Sequence, residues 1–257
     1  MQERNFLLTI EYDGSEFCGW QRQPGVRTVQ GVLEETLSAV CGAQVTLNGT
    51  SRTDAGVHAL GQRASFRGVY GIPTEKIMQA ANDRLCGGRR LGGKLGDVRI
   101  TALEEKPLDF HARFDAKGKK YRYVIQNEGP ADLFRRNYCY YVREALDTEA
   151  MRKGAAHIIG THDFACFEAA GSQPRQTTVR TVYSLEICRR ENDVILEISG
   201  DGFLYNMVRI ITGTLIEVGL ERRTPQSVRE AIAGQNRGLA GHTAPPQGLY
   251  LLEVYYE

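Results

Sequence analysis

The chain has 257 residues, 42% of them hydrophobic and 25% charged, with a formal net charge of +1 at pH 7. That describes a soluble globular protein of one large or two medium domains with a proper core, and the near-zero charge argues against a strongly basic nucleic-acid binder. No apolar run reaches the length of a membrane span, and the start, Met1-Gln2-Glu3-Arg4-Asn5, lacks a signal-peptide layout, so the expected location is the cytoplasm.

The elements come in a recurring order. Phe6 to Tyr12 is apolar and β-branched and predicts a strand. Thr28 caps a helix with Val29, Val32, Leu33, Leu37 and Val40 on one face. Gln44 to Leu47 and Gln62 to Phe66 follow as strands. Thr74 caps a second helix carrying Ile77, Met78 and Ala81, and Val98 to Leu103 is again a strand. Tyr121 to Gln126 opens the second half, with Tyr138 to Val142 as an extra strand. Asp147 caps a helix with Met151, Ala155, Ile158 and Ile159. Thr181 to Ile187 and Val194 to Ser199 form a hairpin about the polar turn Glu191-Asn192-Asp193. Leu204, Met207, Val208, Ile211, Leu215 and Val218 make an apolar helical stripe. Thr224-Pro225 begins a last helix with Val228 and Ile232, and Tyr250 to Tyr255 is the final strand.

This order is β, α, β, β, α, β twice over, without a matching sequence repeat. It predicts an α+β fold of two ferredoxin-like halves, residues 1–108 and 109–257. Each half is an antiparallel sheet with helices on one face. The two free sheet faces would make a broad cleft. The basic residues between Arg84 and Arg122 would line it positively, although a charge-rich stretch also serves as a plain solvated face. RNA-recognition modules share the order, but their aromatic signature is absent.

Chemistry concentrates in Gly49-Thr50-Ser51-Arg52-Thr53-Asp54-Ala55-Gly56-Val57-His58-Ala59. A carboxylate on a Gly-flanked turn is aimed without a long flexible side chain, as a nucleophile or general base requires. The same Asp-Ala-Gly is also an ordinary turn with a self-capping aspartate; Arg52, Thr53 and His58 around it favour the functional reading. Arg209 lies off the apolar stripe of its helix, either solvated or paired with a carboxylate. Along the strand Lys119-Lys120-Tyr121-Arg122-Tyr123, both tyrosines share one face and Lys120 and Arg122 the other. Tyr121 can therefore stack on a base or cover the core. Gly88 to Lys94 imitates a phosphate loop, but Leu95 stands where Ser or Thr is needed and a strand follows, so no nucleotide cofactor is expected there. The five histidines show no metal spacing, and the six cysteines form no CxxC pair; Cys139, Cys166 and Cys188 read as buried reduced thiols. The runner-up reading is a non-catalytic RNA-binding protein using the same cleft, and a hydrolase pairing Asp54 with Asp13 or Asp201 is a third with little support.

Taken in order, these segments resemble the tRNA pseudouridine synthase A family from end to end. The resemblance rests on Tyr12-Asp13-Gly14, Gly19-Trp20-Gln21-Arg22-Gln23, Thr28-Val29-Gln30, Arg52 to His58, Phe110-His111-Ala112-Arg113-Phe114, Tyr121-Arg122-Tyr123, His162-Asp163-Phe164, Met207-Val208-Arg209 and Gly248-Leu249-Tyr250-Leu251. It implies a cofactor-free isomerase that acts on the anticodon arm of tRNA as a homodimer. By resemblance, Asp54 is the catalytic aspartate, Arg209 its ion-pair partner and Tyr121 the ring stacked on the target base. Arg52 then enters the RNA stack, and Leu249 lines the pocket; Thr53, His58 and Lys120 are further substrate-binding candidates. The Gly- and Arg-rich stretch from Cys86 to Lys94 departs from the family, and Arg89, Arg90 and Lys94 there are candidates for an added phosphate contact.

Overall fold

The computed structural model describes residues 2–86, 96–171 and 176–257. Arg89, Arg90 and Lys94, and with them the expected phosphate contact, lie outside the described residues. The chain forms two compact units, one running through Lys117 and including Leu251–Glu257, the other Gly118–Tyr250. The first unit thus extends past the expected boundary at Leu108. The reason is hydrogen bonding: Asn5 Nδ2 donates to the carbonyls of Pro107 and Phe110, and Ala112 N donates to Ser65 Oγ. Lys117 N donates to the carbonyl of Tyr255 at 2.8 Å.

The first unit contains β1 (Glu3–Tyr12), α1 (Val29–Cys41), β2 (Asn48–Gly49), β3 (His58–Val69), α2 (Thr74–Leu85) and β4 (Val98–Lys106). Both β4 and β3 pair antiparallel with β1, and β2 pairs with β3, which is the ferredoxin-like order. Thr28 caps α1 by accepting from Gly31 N, and Gly42 ends it in the left-handed region. Val29, Leu33 and Leu37 are buried at four-residue spacing. Two expectations shift. The strand expected at Gln44 to Leu47 begins only at Asn48, because Val45 N and Leu47 N donate to Ser38 Oγ and Glu34 Oε1 on α1 instead of to a strand. Thr74 is the first residue of α2 and not its cap; its hydroxyl donates to Glu105, which Arg4 also binds.

The second unit contains β5 (Gly118–Asn127), β6 (Tyr140–Val142), α3 (Thr148–Ala155), β7 (Gly160–Asp163), β8 (Val179–Arg190), β9 (Asp193–Gly200), α4 (Met207–Gly219) and α5 (Gln226–Gly234). Its sheet runs β5-β9-β8-β7 in antiparallel pairs, while β6 lies parallel to β5, an exception to the expected all-antiparallel pattern. Asp147 caps α3 by accepting from Glu149 N and Ala150 N. The helix stops at Ala155, so Ile158 is buried while Ile159 is exposed rather than sharing its face. β7 was not expected: Gly-Thr-His-Asp has neither alternation nor β-branched density, and only its position beside β8 makes it a strand. The last strand, β10 (Leu249–Tyr255), pairs with β3. A Cβ at Gly61 would stand 2.2 Å from the Leu252 carbonyl oxygen, so this close pairing requires glycine.

Burial pushes the Cys166 thiol up to about 12 and also raises that of Cys139, which fits inert core thiols; Cys188 is only half-buried. Among the described residues no helix is long and apolar enough to cross a membrane.

Candidate active site

Asp54 sits on a turn built in four steps. Its own carbonyl accepts from Val57 N at 3.2 Å, and Gly56, at φ 78°, supplies the left-handed position of that turn. The preceding carbonyl, of Thr53, accepts from Trp20 N at 3.0 Å. Thr53 Oγ1 is 2.7 Å from the Tyr12 hydroxyl. Upstream, Gln62 clamps Ser51 through both backbone groups, its Oε1 accepting from Ser51 N and its Nε2 donating to Ser51 O. Gly19 is required where the segment carrying Trp20 crosses the turn: its φ is 89°, and a Cβ there would lie 2.7 Å from the Thr53 carbonyl oxygen. The half-buried Asp54 carboxylate therefore projects from a backbone fixed on both sides, while Arg52 is exposed.

His58 and Thr53 take positions behind this loop. His58 is 2% exposed; its Nδ1 accepts from Gly14 N at 3.1 Å and lies 3.2 Å from Asp13 Oδ1. Thr53 is likewise buried. Both brace the turn from inside, a part that the local sequence pattern does not report. Asp13 and Asp201 are each occupied locally. Asp13 Oδ1 accepts from Ser15 N and Ser15 Oγ, and Asp201 Oδ1 accepts from Thr181 N. That weakens the paired-carboxylate hydrolase.

Tyr121, Lys120, Arg209 and Leu249 belong to the second unit. Tyr121 is 8% exposed and meets the edge of Phe203, centroids 5.3 Å apart at 89°. Tyr123, two residues on, is a core residue with its hydroxyl on the Pro245 carbonyl at 2.6 Å. On the opposite face Lys120 and Arg122 both bind Glu197. Burial opposes ionisation of Glu197, yet the two cations hold its carboxyl below the usual range. Lys120 is thus tied within its own sheet as well as being a binding candidate. Leu249 is buried, and Gly248 before it admits the Tyr123 ring, which a Cβ would meet at 2.6 Å.

Arg209 is placed by α4 and by a strap, residues 239–244, that runs along this helix. All of Met207–Gly219 is buried except Arg209 and Glu217, and both hold the strap. Arg209 Nε donates to the Ala244 carbonyl at 2.7 Å, and Ala244 N donates to the Arg209 carbonyl at 3.1 Å. Gly241 N donates to Thr214 Oγ1 at 2.8 Å, and His242 N to Glu217 Oε1 at 2.8 Å. Arg223 binds Glu217 and the carbonyls of Leu239 and Ala240. The strap's backbone thus runs along the side of α4 from which Arg209 and Glu217 project. The strap itself was not legible: Gly238-Leu239-Ala240-Gly241 has no periodicity, and only the following prolines hint at an extended path.

Burial disfavours the charged form of Glu217, but Arg223 and the two His242 donors override it and hold the carboxyl at about 2. A folded pKa below the unfolded value contributes stability that is full above the unfolded pKa, near 4.5, and is lost as pH falls toward 2. Glu217→Gln should therefore lower stability at neutral pH by about 1–2 kcal/mol and flatten the acid-side loss between pH 4.5 and 2. Thermal melts across that range check it.

A family model described as tRNA pseudouridine synthase matches residues 8–115 and 155–257. Those spans contain Arg52, Thr53, Asp54, His58, Arg209 and Leu249; Lys120 and Tyr121 fall between them. The chain is 45% identical over 253 residues to the tRNA pseudouridine synthase A of Acetivibrio thermocellus, covering 98% of this chain and 100% of that protein. It is 46% identical over 254 residues, with the same coverage, to the tRNA pseudouridine synthase A of Ruminiclostridium cellulolyticum. Among solved structures, the one described as "Crystal Structure of a Cbf5-Nop10-Gar1 Complex" matches 94% of this chain and 47% of that chain at a TM-score of 0.37 and 12% identity.

Proposed function

We propose, from the premise that this chain belongs to the tRNA pseudouridine synthase family and isomerises uridine to pseudouridine in tRNA, that Asp54 carries the reaction on uridines of the anticodon arm. The observation behind this is the turn itself: a half-buried carboxylate on backbone fixed by Trp20 N, Val57 N and Gly56. Such preorganisation is what a reacting group needs and a surface turn does not.

The reaction breaks the bond between uracil N1 and the sugar C1′ and forms one between C5 and C1′. N1 gains a proton, the C5 hydrogen leaves to solvent, and nothing is oxidised. Whether the carboxylate removes a proton from the sugar or attacks sugar or base, it must be ionised and within reach. The family resemblance assigns Arg209 as the cation of the reaction, since a guanidinium favours the charged form of a carboxylate it accompanies. A target base paired in a stem must first be extruded, at a cost of a few kcal/mol; Arg52, exposed beside the turn, fills the space it leaves. Tyr121 and Leu249 hold the detached uracil, and Lys120 adds a phosphate contact. The enzyme works in the cytoplasm as a homodimer.

The test is release of tritium from tRNA labelled at uridine C5. An isomerase displaces that hydrogen and the RNA keeps its uracil; a non-catalytic RNA-binding protein leaves the label in place, and a hydrolase frees the base. Arg209→Lys should reduce the release rate by about 100-fold or more, because lysine lacks the planar fork that addresses a carboxylate and a carbonyl together. Wild-type rates from Arg209→Lys would remove Arg209 from the mechanism.

A further inference from the structure

Asn206, the residue before α4, has no role in the reading above. Its backbone lies in the left-handed region, at φ 60° and ψ 9°. Asparagine tolerates that region better than most residues, but glycine occupies it without a steric cost. At a helix N-cap, asparagine ordinarily adopts an extended backbone and its side chain accepts from the first turn. Here the backbone is not extended, and the side chain makes no capping bond. The helix gains nothing from this side chain while the backbone is strained, which marks a constraint from elsewhere.

That constraint is visible. Asn206 Oδ1 accepts from Arg209 Nη1 at 2.8 Å, while Arg209 Nε donates to the Ala244 carbonyl at 2.7 Å. The two acceptors engage different nitrogens of one guanidinium, so they fix both its position and the plane of its fork. An arginine side chain has several rotatable bonds, and an acceptor on Nη1 besides the one on Nε restricts rotation of the fork about the Nε bond. The left-handed backbone at 206, three residues before Arg209, carries the short amide that reaches this point.

We propose that Asn206 is a positioning residue for the isomerisation, acting through Arg209; the inference rests on the reading that Arg209 takes part in the reaction. Asn206→Gly keeps the backbone conformation and removes the acceptor. Its melting temperature should equal or exceed wild type, while kcat for tritium release falls about 10- to 100-fold with tRNA affinity within about 3-fold. Asn206→Asp keeps an acceptor and should retain turnover far above the glycine variant. In the double variant Asn206→Gly/Arg209→Ala, the first change should add no further loss, since its effect travels through the second residue.

Wild-type kcat in Asn206→Gly, with Arg209→Ala inactive, overturns the proposal and leaves the role of Arg209 standing. Full activity in Arg209→Ala overturns both. Should the glycine variant fail to fold, Asn206→Ala and Asn206→Asp decide per folded molecule: equal turnover overturns the proposal, and loss confined to alanine supports it.

Discussion

Asp54→Asn should convert this enzyme into a protein that binds tRNA and leaves it unchanged. The substitution keeps size, shape and turn propensity. Two of the bonds that define the loop are backbone to backbone, Val57 N to the Asp54 carbonyl and Trp20 N to the Thr53 carbonyl, and the substitution leaves both in place. The melting temperature should move by no more than about 2 °C. What is lost is a negative charge able to take a proton or attack carbon, and a neutral amide does neither. Turnover in the tritium assay should fall by about four orders of magnitude or to background. Affinity for tRNA should stay within about 3-fold, because most binding comes from phosphate contacts elsewhere. Substantial residual turnover, in a preparation free of wild-type protein, would exclude Asp54 as the reacting group.

How far this was legible depends on the range of the signal. Thr28 and Asp147 announced helix starts because a cap is a local hydrogen bond, and the hairpin at Glu191 to Asp193 announced itself by polarity within three residues. The strand expected at Gln44 failed for a non-local reason: Ser38 and Glu34 on the neighbouring helix capture its N–H groups. β7 is a strand only because β8 lies beside it. Asp54 stood out because glycine and charge crowd into eleven residues. His58 and Thr53 looked equally exposed to substrate in that window. Their burial follows from Tyr12 and Gly14, more than forty residues upstream, which no local pattern reports. Arg209 was placed on the polar side of its helix, as helical periodicity requires, but periodicity says nothing about what covers that side. The strap at 239–244 bonds through its backbone, and backbone carbonyls look alike in every sequence.

That strap gives the second large effect, at a glycine one helical turn beyond Arg209 on the same helix. Gly213→Ala should damage both stability and turnover, although alanine is the better helix former by about 1 kcal/mol. A Cβ at Gly213 would lie 1.9 Å from the His242 carbonyl oxygen, 2.9 Å from its carbon and 3.3 Å from Ala244 N. These are backbone atoms, so no side chain can swing aside; the strap must lift by roughly an ångström. Lifting it strains the bonds that hold it on both sides of the glycine, Glu217 to His242 N and Arg209 to Ala244. Overpacking and stretched hydrogen bonds together should cost about 2–4 kcal/mol after the gain in propensity, or about 5–10 °C in melting temperature for a chain of this size. Because Ala244 is one of the acceptors that fix the Arg209 guanidinium, kcat of the folded fraction should fall about 10-fold or more as well. Measuring Tm and tritium release on the same sample separates the two. A variant that is less stable but fully active per folded molecule would leave the strap a structural part only, and one that melts and turns over like wild type would show that strap and helix do not meet at Gly213.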